Sequence, residues 1–317
     1  MDVNLIEYLI QNYDPRLLEM LTGKLLGDGN ILIEKNKSPR FRFGHARKDR
    51  LWCLTSYQSL GEHIKLSPPK FRRVFDDRLV AGHSDLYYVQ STVDNLYVLL
   101  KKIWYPNGVK KVPFHLIKWV LSPLCLAWWY QDDGNLKINK NNPEKIVIST
   151  ESFSIEEIKF LKGLIQEKYN VLFIIDGKKR LVLYDKPSIL YFLSIIRPYI
   201  VIKRKDMFQN NIDPTIFPPH HRTSLYISSE LSFEMPTSDI KLILHTMINE
   251  INKNININDV YNFYINNLRN GNKQTNSYQI EFNREELCYL AFFQSSTGFT
   301  KGESIEYFEY LRTSKVN

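Results

Sequence analysis

One helix ending is written twice in this chain. Residues 21–31 read LTGKLLGDGNI and residues 126–136 read LAWWYQDDGNL. Each is an apolar helical run stopped by an acid and a glycine, then Asn and another apolar residue. The acids directly before the glycines, Asp28 and Asp133, stand 105 positions apart. The text after each ending also repeats. The first part reads as a helix from Pro15, strands NILIE and RFRFGHA, a helix KDRLWCLTSYQSLGEHI, strands FRRVF and DLYYVQST, and a helix VDNLYVLLKKIWYP ended by Pro106. The second reads as a helix from Pro123, strands NLKIN and KIVISTE, a helix opened by Ser154 with Glu157 three later, a hairpin of VLFIIDG and RLVLYD around GKK, and a helix KPSILYFLSIIRPYI ended by Pro198. Both parts have the order αββαββα. The implied class is α+β: two pseudo-symmetric units, each an antiparallel sheet with helices on one face. The units span 1–105 and 122–217, with a linker over 106–121. Residues 218–317 read as a mostly helical accessory domain, and the adjacent His220 and His221 as linker residues.

Charge divides the chain along the same line. Residues 1–217 carry 33 Lys+Arg against 23 Asp+Glu, a net +10, and residues 218–317 carry 9 against 11, a net −2. The duplicated part is therefore the one suited to a polyanionic partner. Three scattered cysteines without metal-ligand spacing fit a reducing compartment. The N-terminus has neither a basic start nor a long apolar core, so the expectation is an intracellular protein (cytoplasm, nucleoid or organelle matrix) that is not secreted and makes no membrane contact.

A carboxylate at a helix C-terminus faces the negative end of the helix dipole and needs a counter-charge. A divalent cation supplies one, and Mg²⁺ favours few carboxylates together with water and phosphate oxygens. Gly23 and Gly27 lie four apart on one stripe of the first motif helix, and small residues at that spacing admit a second helix. If the motif helices pack, Asp28 and Asp133 meet at one end, beside metal, above basic sheets. That constellation cleaves phosphodiesters.

These two motifs, LTGKLLGDG and LAWWYQDDG, resemble the paired motifs of single-chain LAGLIDADG homing endonucleases, and the resemblance covers about residues 14–217. It implies a monomer that binds double-stranded DNA along two sheet saddles and cuts both strands with Mg²⁺, with Mn²⁺ substituting and Ca²⁺ supporting binding without cleavage. It makes Asp28 and Asp133 the metal-binding acids. Gly27 and Asp132, which share a motif position, become the residues whose main-chain carbonyls lie near the metal. Lys110 or Lys111, and Lys203 or Lys205, are the implied lysines that activate or order water. Trp128 stands where the family has a close-packing glycine, so the helix contact should be asymmetric. DNA contacts are expected from Lys37, Arg40, Arg42, Arg72 and Arg73 in the first unit. In the second they are expected from Lys137, Lys140, Lys145, Lys178, Lys179 and Arg180. The alternation in RFRF, with Arg outward and Phe inward, is that of a half-buried strand. The same scaffold also serves RNA-splicing maturases and transcription regulators, the alternative reading. The C-terminal domain then has an RNA or protein partner, or docks on the nuclease body.

Overall fold

The computed structural model describes residues 3–32, 37–78, 80–140, 142–201, 213–269 and 274–314. By compactness the chain divides into two units, Met1–Leu183 with Leu193–Asp206, and Tyr184–Phe192 with Met207–Asn317.

The first unit opens on a helix absent from the sequence expectation, α1 (Val3–Asn12), whose Ile6 and Leu9 are buried. The first repeat then runs α2 (Pro15–Leu26), β1 (Asn30–Leu32), β2 (Arg40–Ala46), α3 (Arg50–Gly61), β3 (Lys70–Phe75), β4 (His83–Gln90) and α4 (Asn95–Trp104). A further helix, α5 (Phe114–Val120), occupies the stretch read as a linker and buries Leu116, Ile117 and Val120. The second repeat runs α6 (Pro123–Asp133), β5 (Gly134–Asn139), β6 (Asn142–Ile148), α7 (Ile155–Tyr169), β7 (Ile174–Ile175), β8 (Leu181–Leu183) and α8 (Lys186–Ile196). Both sheets are antiparallel, in the orders β1-β2-β4-β3 and β5-β6-β8-β7. The αββαββα expectation holds in both repeats, and the boundary between the compact units runs through α8.

Local chemistry starts the two motif helices alike. Asp14 accepts from the Leu17 N–H at 3.1 Å, and Ser122 from the Cys125 N–H at 3.2 Å, each followed by proline at the first helical position. Every residue of α6 from Leu124 to Gln131 is buried. A helix apolar on all sides belongs at the centre of a body.

The two helices meet through missing side chains. A Cβ on Gly23 would stand 2.6 Å from Trp128 Cβ and 2.7 Å from the Cys125 carbonyl, and one on Gly27 would stand 2.5 Å from Asp132 Cβ. The contact is asymmetric, as the tryptophan at position 128 implied: α2 contributes glycines and α6 contributes side chains. Gly23→Ala is therefore expected to cost the upper end of the roughly 1–3 kcal/mol typical of overpacking, because a backbone carbonyl cannot move aside. Denaturant titration measures it, and an unchanged midpoint would refute this account of the helix contact.

The second compact unit is not wholly helical. It pairs β9 (His220–Ser228) with β10 (Thr275–Asn283) in an unbroken antiparallel ladder. Around this ribbon lie α9 (Pro236–Asn252), α10 (Ile257–Phe263), α11 (Arg284–Thr297) and α12 (Lys301–Ser314). His220 and His221, read as linker residues, open β9. Between α11 and α12 Gly298 takes φ 80°, and Thr300 caps α12 by exchanging hydrogen bonds with Glu303. Phe293, Phe299, Tyr307 and Phe308 form its aromatic core. Ser188 and Tyr191, from the first half of α8, bond Tyr261 at 2.8 Å and Asn258 at 2.9 Å, inside the same unit.

Candidate functional site

The end of α2 meets the end of α6 around one buried carboxylate. Asp132 has no exposed side-chain surface. Its Oδ1 accepts from Lys24 Nζ at 2.8 Å and from Trp52 Nε1 at 2.7 Å, and its Oδ2 accepts from the Asp28 N–H at 3.0 Å. Lys24 is equally buried, 4.2 Å from the Trp52 ring centroid and 4.9 Å from that of Phe43. Burial pulls the Lys24 pKa down, and Asp132 opposes the pull. Lys24 also lies 2.8 Å from His45 Nε2, and His45 Nδ1 lies 3.1 Å from Asp28 Oδ2.

Asp28 is different, with a side chain 42% exposed at the open end of the cluster. Lys110, half-buried, donates to the Gly29 carbonyl at 3.0 Å. Burial lowers its pKa from 10.5 to about 8, against the attraction of Asp133, then Asp132, then Asp28. Both motif acids thus lie around one ammonium. Its neighbour Lys111 is exposed. Lys203 and Lys205 lie outside the described residues.

Asp28, His45 and Asp132 offer ligand atoms within 4.8 Å of one another. Asp132 is nonetheless a poor cation ligand, because its Oδ1 is taken by the buried Lys24 and Trp52 and its Oδ2 by the Asp28 N–H. The half-exposed carboxylate of Asp28 fits a hard cation that keeps several waters, and Asp133 is the acid that would join it. The structure therefore separates the two adjacent acids of the second motif: Asp132 braces the helix ends, as the shared motif position with Gly27 suggested. Lys24, His45 and Trp52 were not among the residues singled out in the sequence. A signal existed for the first, a lysine inside the apolar run LTGKLL of the first motif helix.

The sheets sort the basic residues by register. Arg40, Arg42, Lys70 and Arg72 share one face of the first sheet, the face opposite Phe41, Phe43 and His45. Arg42 lies 5.8 Å from the Tyr88 ring on that face. Lys37 is exposed just before β2. Arg73 points to the other face and is held by Asp85 in a two-point ion pair at 2.8 and 3.0 Å, which keeps that carboxyl below its usual range. In the second sheet Lys137 stands directly opposite Lys145, with Glu144 2.9 Å from Lys137. Like charges opposed across a ladder are unfavourable alone and suit an anionic partner. Lys140, Lys178 and Lys179 are exposed turn residues, and Arg180 is tied to Asp176, whose pKa its guanidinium lowers to about 2.

A duplicated α+β scaffold, with two motif helices packed through glycines and an acid left open at their end, is what these elements define. The model of the LAGLIDADG DNA endonuclease family matches residues 18–193, more than half of the chain, and the chain belongs to that family. An uncharacterized protein of Methanocaldococcus jannaschii is 30% identical over 203 residues, 61% of this chain and 74% of its own length. The cytochrome b mRNA maturase bI2 of Debaryomyces hansenii is 29% identical over 205 residues, 61% of this chain and 73% of the maturase. The DNA endonuclease I-ChuI of Chlamydomonas applanata is 29% identical over 164 residues, 48% of this chain and 72% of that enzyme. Among solved structures, the homing endonuclease I-WcaI bound to its DNA recognition sequence has the same fold. Its TM-score is 0.53 at 21% identity, over 63% of this chain and 89% of that one. Among the described residues no helix is long and apolar enough to cross a membrane.

Proposed function

We propose that this chain is a site-specific double-strand DNA endonuclease that acts as a monomer. The observation that carries this reading is Lys110 bonded to the Gly29 carbonyl beside the half-exposed Asp28, with the attraction of Asp133 opposing the fall of its pKa. Bound divalent cations, Mg²⁺ with Mn²⁺ as substitute, would be held at Asp28 and at Asp133 and would stabilise charge on the phosphate oxygens of the two strands. Arg40, Arg42, Lys70 and Arg72 of the first sheet, with Lys137 and Lys145 of the second, bind backbone phosphates and set the register of the duplex. Lys110 receives a proton from the attacking water. Incubation with Mg²⁺ and a genomic or randomised duplex library, followed by sequencing of the ends, tests the reading. Ends at one recurrent sequence are expected; intact DNA under Mg²⁺ and Mn²⁺ would refute it.

Two further results are expected. A lysine with a pKa of about 8 is mostly charged at pH 6 and half neutral at about 8. If it accepts a proton, cutting rises about tenfold per pH unit below 8 and flattens above it. Lys110→Met should remove that inflection. A rate that falls above pH 8 would make the ammonium, not the amine, the working form. Binding in Ca²⁺ should weaken steeply between about 50 and 200 mM salt, at about 0.9 counterions per phosphate contact. A flat response would exclude an extensive phosphate interface.

The maturase among the relatives supports a second reading, RNA-splicing assistance on the same scaffold. Tight binding of structured intron RNA without DNA cleavage would select it.

A further inference from the structure

We propose that Lys24 and His45 are positioning residues for Asp28 alone, holding one of the two motif acids through a buried relay that the second motif does not have. The proposal rests on the nuclease reading above. An ammonium donates and does not accept. Lys24 Nζ lies 2.8 Å from His45 Nε2, so that nitrogen is the acceptor and Nδ1 carries the hydrogen. Nδ1, carrying that hydrogen, lies 3.1 Å from Asp28 Oδ2. Lys24 is itself fixed by Asp132 at 2.8 Å and by the Trp52 and Phe43 rings. The His45 ring, 3% exposed, sits between Phe43 and Trp52, with centroids 5.8 and 6.2 Å away. Asp132 also receives the Asp28 N–H. Backbone and side chain of Asp28 are therefore gripped by one buried cluster.

The repeat permits a direct comparison. The 105-residue offset between the motifs puts Trp129 where Lys24 stands. Sheet register puts Thr150 where His45 stands, because Asn30 pairs with Arg42 as Asn135 pairs with Val147. Trp129 Nε1 is buried without a hydrogen-bond partner, and Thr150 Oγ1 donates to the Lys179 carbonyl at 2.5 Å. Neither residue can repeat the lysine–histidine relay. The two acids are held by different means, so disturbing the relay should disturb one half of the reaction.

Two measurements decide the matter. In metal-free protein with ¹⁵N-histidine, His45 is expected as the Nδ1–H tautomer with Nε2 bare, and Lys24→Met should abolish that preference. An Nε2–H tautomer in the wild-type protein would overturn the relay. On a duplex with each strand labelled, His45→Ala should slow one strand about 10–100-fold, the usual effect of losing a ligand's supporting partner, and leave the other within about threefold, so that nicked DNA accumulates. His45→Asn, which restores a donor near the Nδ1 position, should recover most of the loss. Equal slowing of both strands, or no slowing, would also overturn the proposal. If the wild-type protein cuts neither strand, the nuclease reading fails, while the tautomer still judges the relay in a protein that has only to fold.

Discussion

Asp28→Asn or Asp133→Asn is expected to abolish double-strand cutting while DNA affinity in Ca²⁺ stays largely intact. The exchange keeps shape and removes the charge that would hold a cation. Losing several kcal/mol of transition-state stabilisation corresponds to roughly a thousandfold or more in rate. The structure says why the effect should be chemical and not structural. The Asp28 side chain is half-exposed, and its N–H is anchored by Asp132 whichever side chain it carries. Substantial double-strand cutting by both single variants, measured on a plasmid bearing the recovered site, would remove these acids from the mechanism.

Lys24→Met should be the most destabilising single change in the first compact unit. Lys24 and Asp132 are both without exposed side-chain surface, and removing one partner strands a buried charge. Such losses amount to about 3–5 kcal/mol, or roughly 6–20 °C in melting temperature for a body of this size. The double replacement Lys24→Met with Asp132→Leu should recover only part of the stability: it removes the stranded charge but leaves the Trp52 Nε1–H and the Asp28 N–H without their acceptor. A single variant that melts within about 1 kcal/mol of wild type would show that the pair is solvated or dispensable. Stability and catalysis separate here: Asp132 holds the helix ends together, and Asp28 faces outward to work.

Much of the first compact unit was legible because its signals are local. N-caps at Asp14 and Ser122, glycines after Asp28 and Asp133, and period-two alternation in RFRFGHA each depend on residues within a few positions of one another. The repeat order and the motif acids followed from them. The ribbon of β9 and β10 did not follow, although β10 alternates Tyr278, Ile280 and Phe282 with polar residues, since its partner strand lies beyond a long helical insertion. Alternation alone says that Arg72 and Arg73 cannot share a face. Only the pairing with β4 says that Arg73 is the one turned away and spent on Asp85.

By itself the sequence determined the duplication, the two acids at helix ends and the basic character of residues 1–217, because these are written in spacing, turn chemistry and charge. Only the tertiary structure decided which neighbour does what. Lys110 and Lys111 are equivalent as text, yet one is drawn in beside the acids and the other is left in water. Asp132 and Asp133 are adjacent letters, yet one is consumed by Lys24, Trp52 and the Asp28 amide. The physical reason is that burial and hydrogen-bond partnership belong to surfaces brought together across 80 or 108 positions. No local period carries that information.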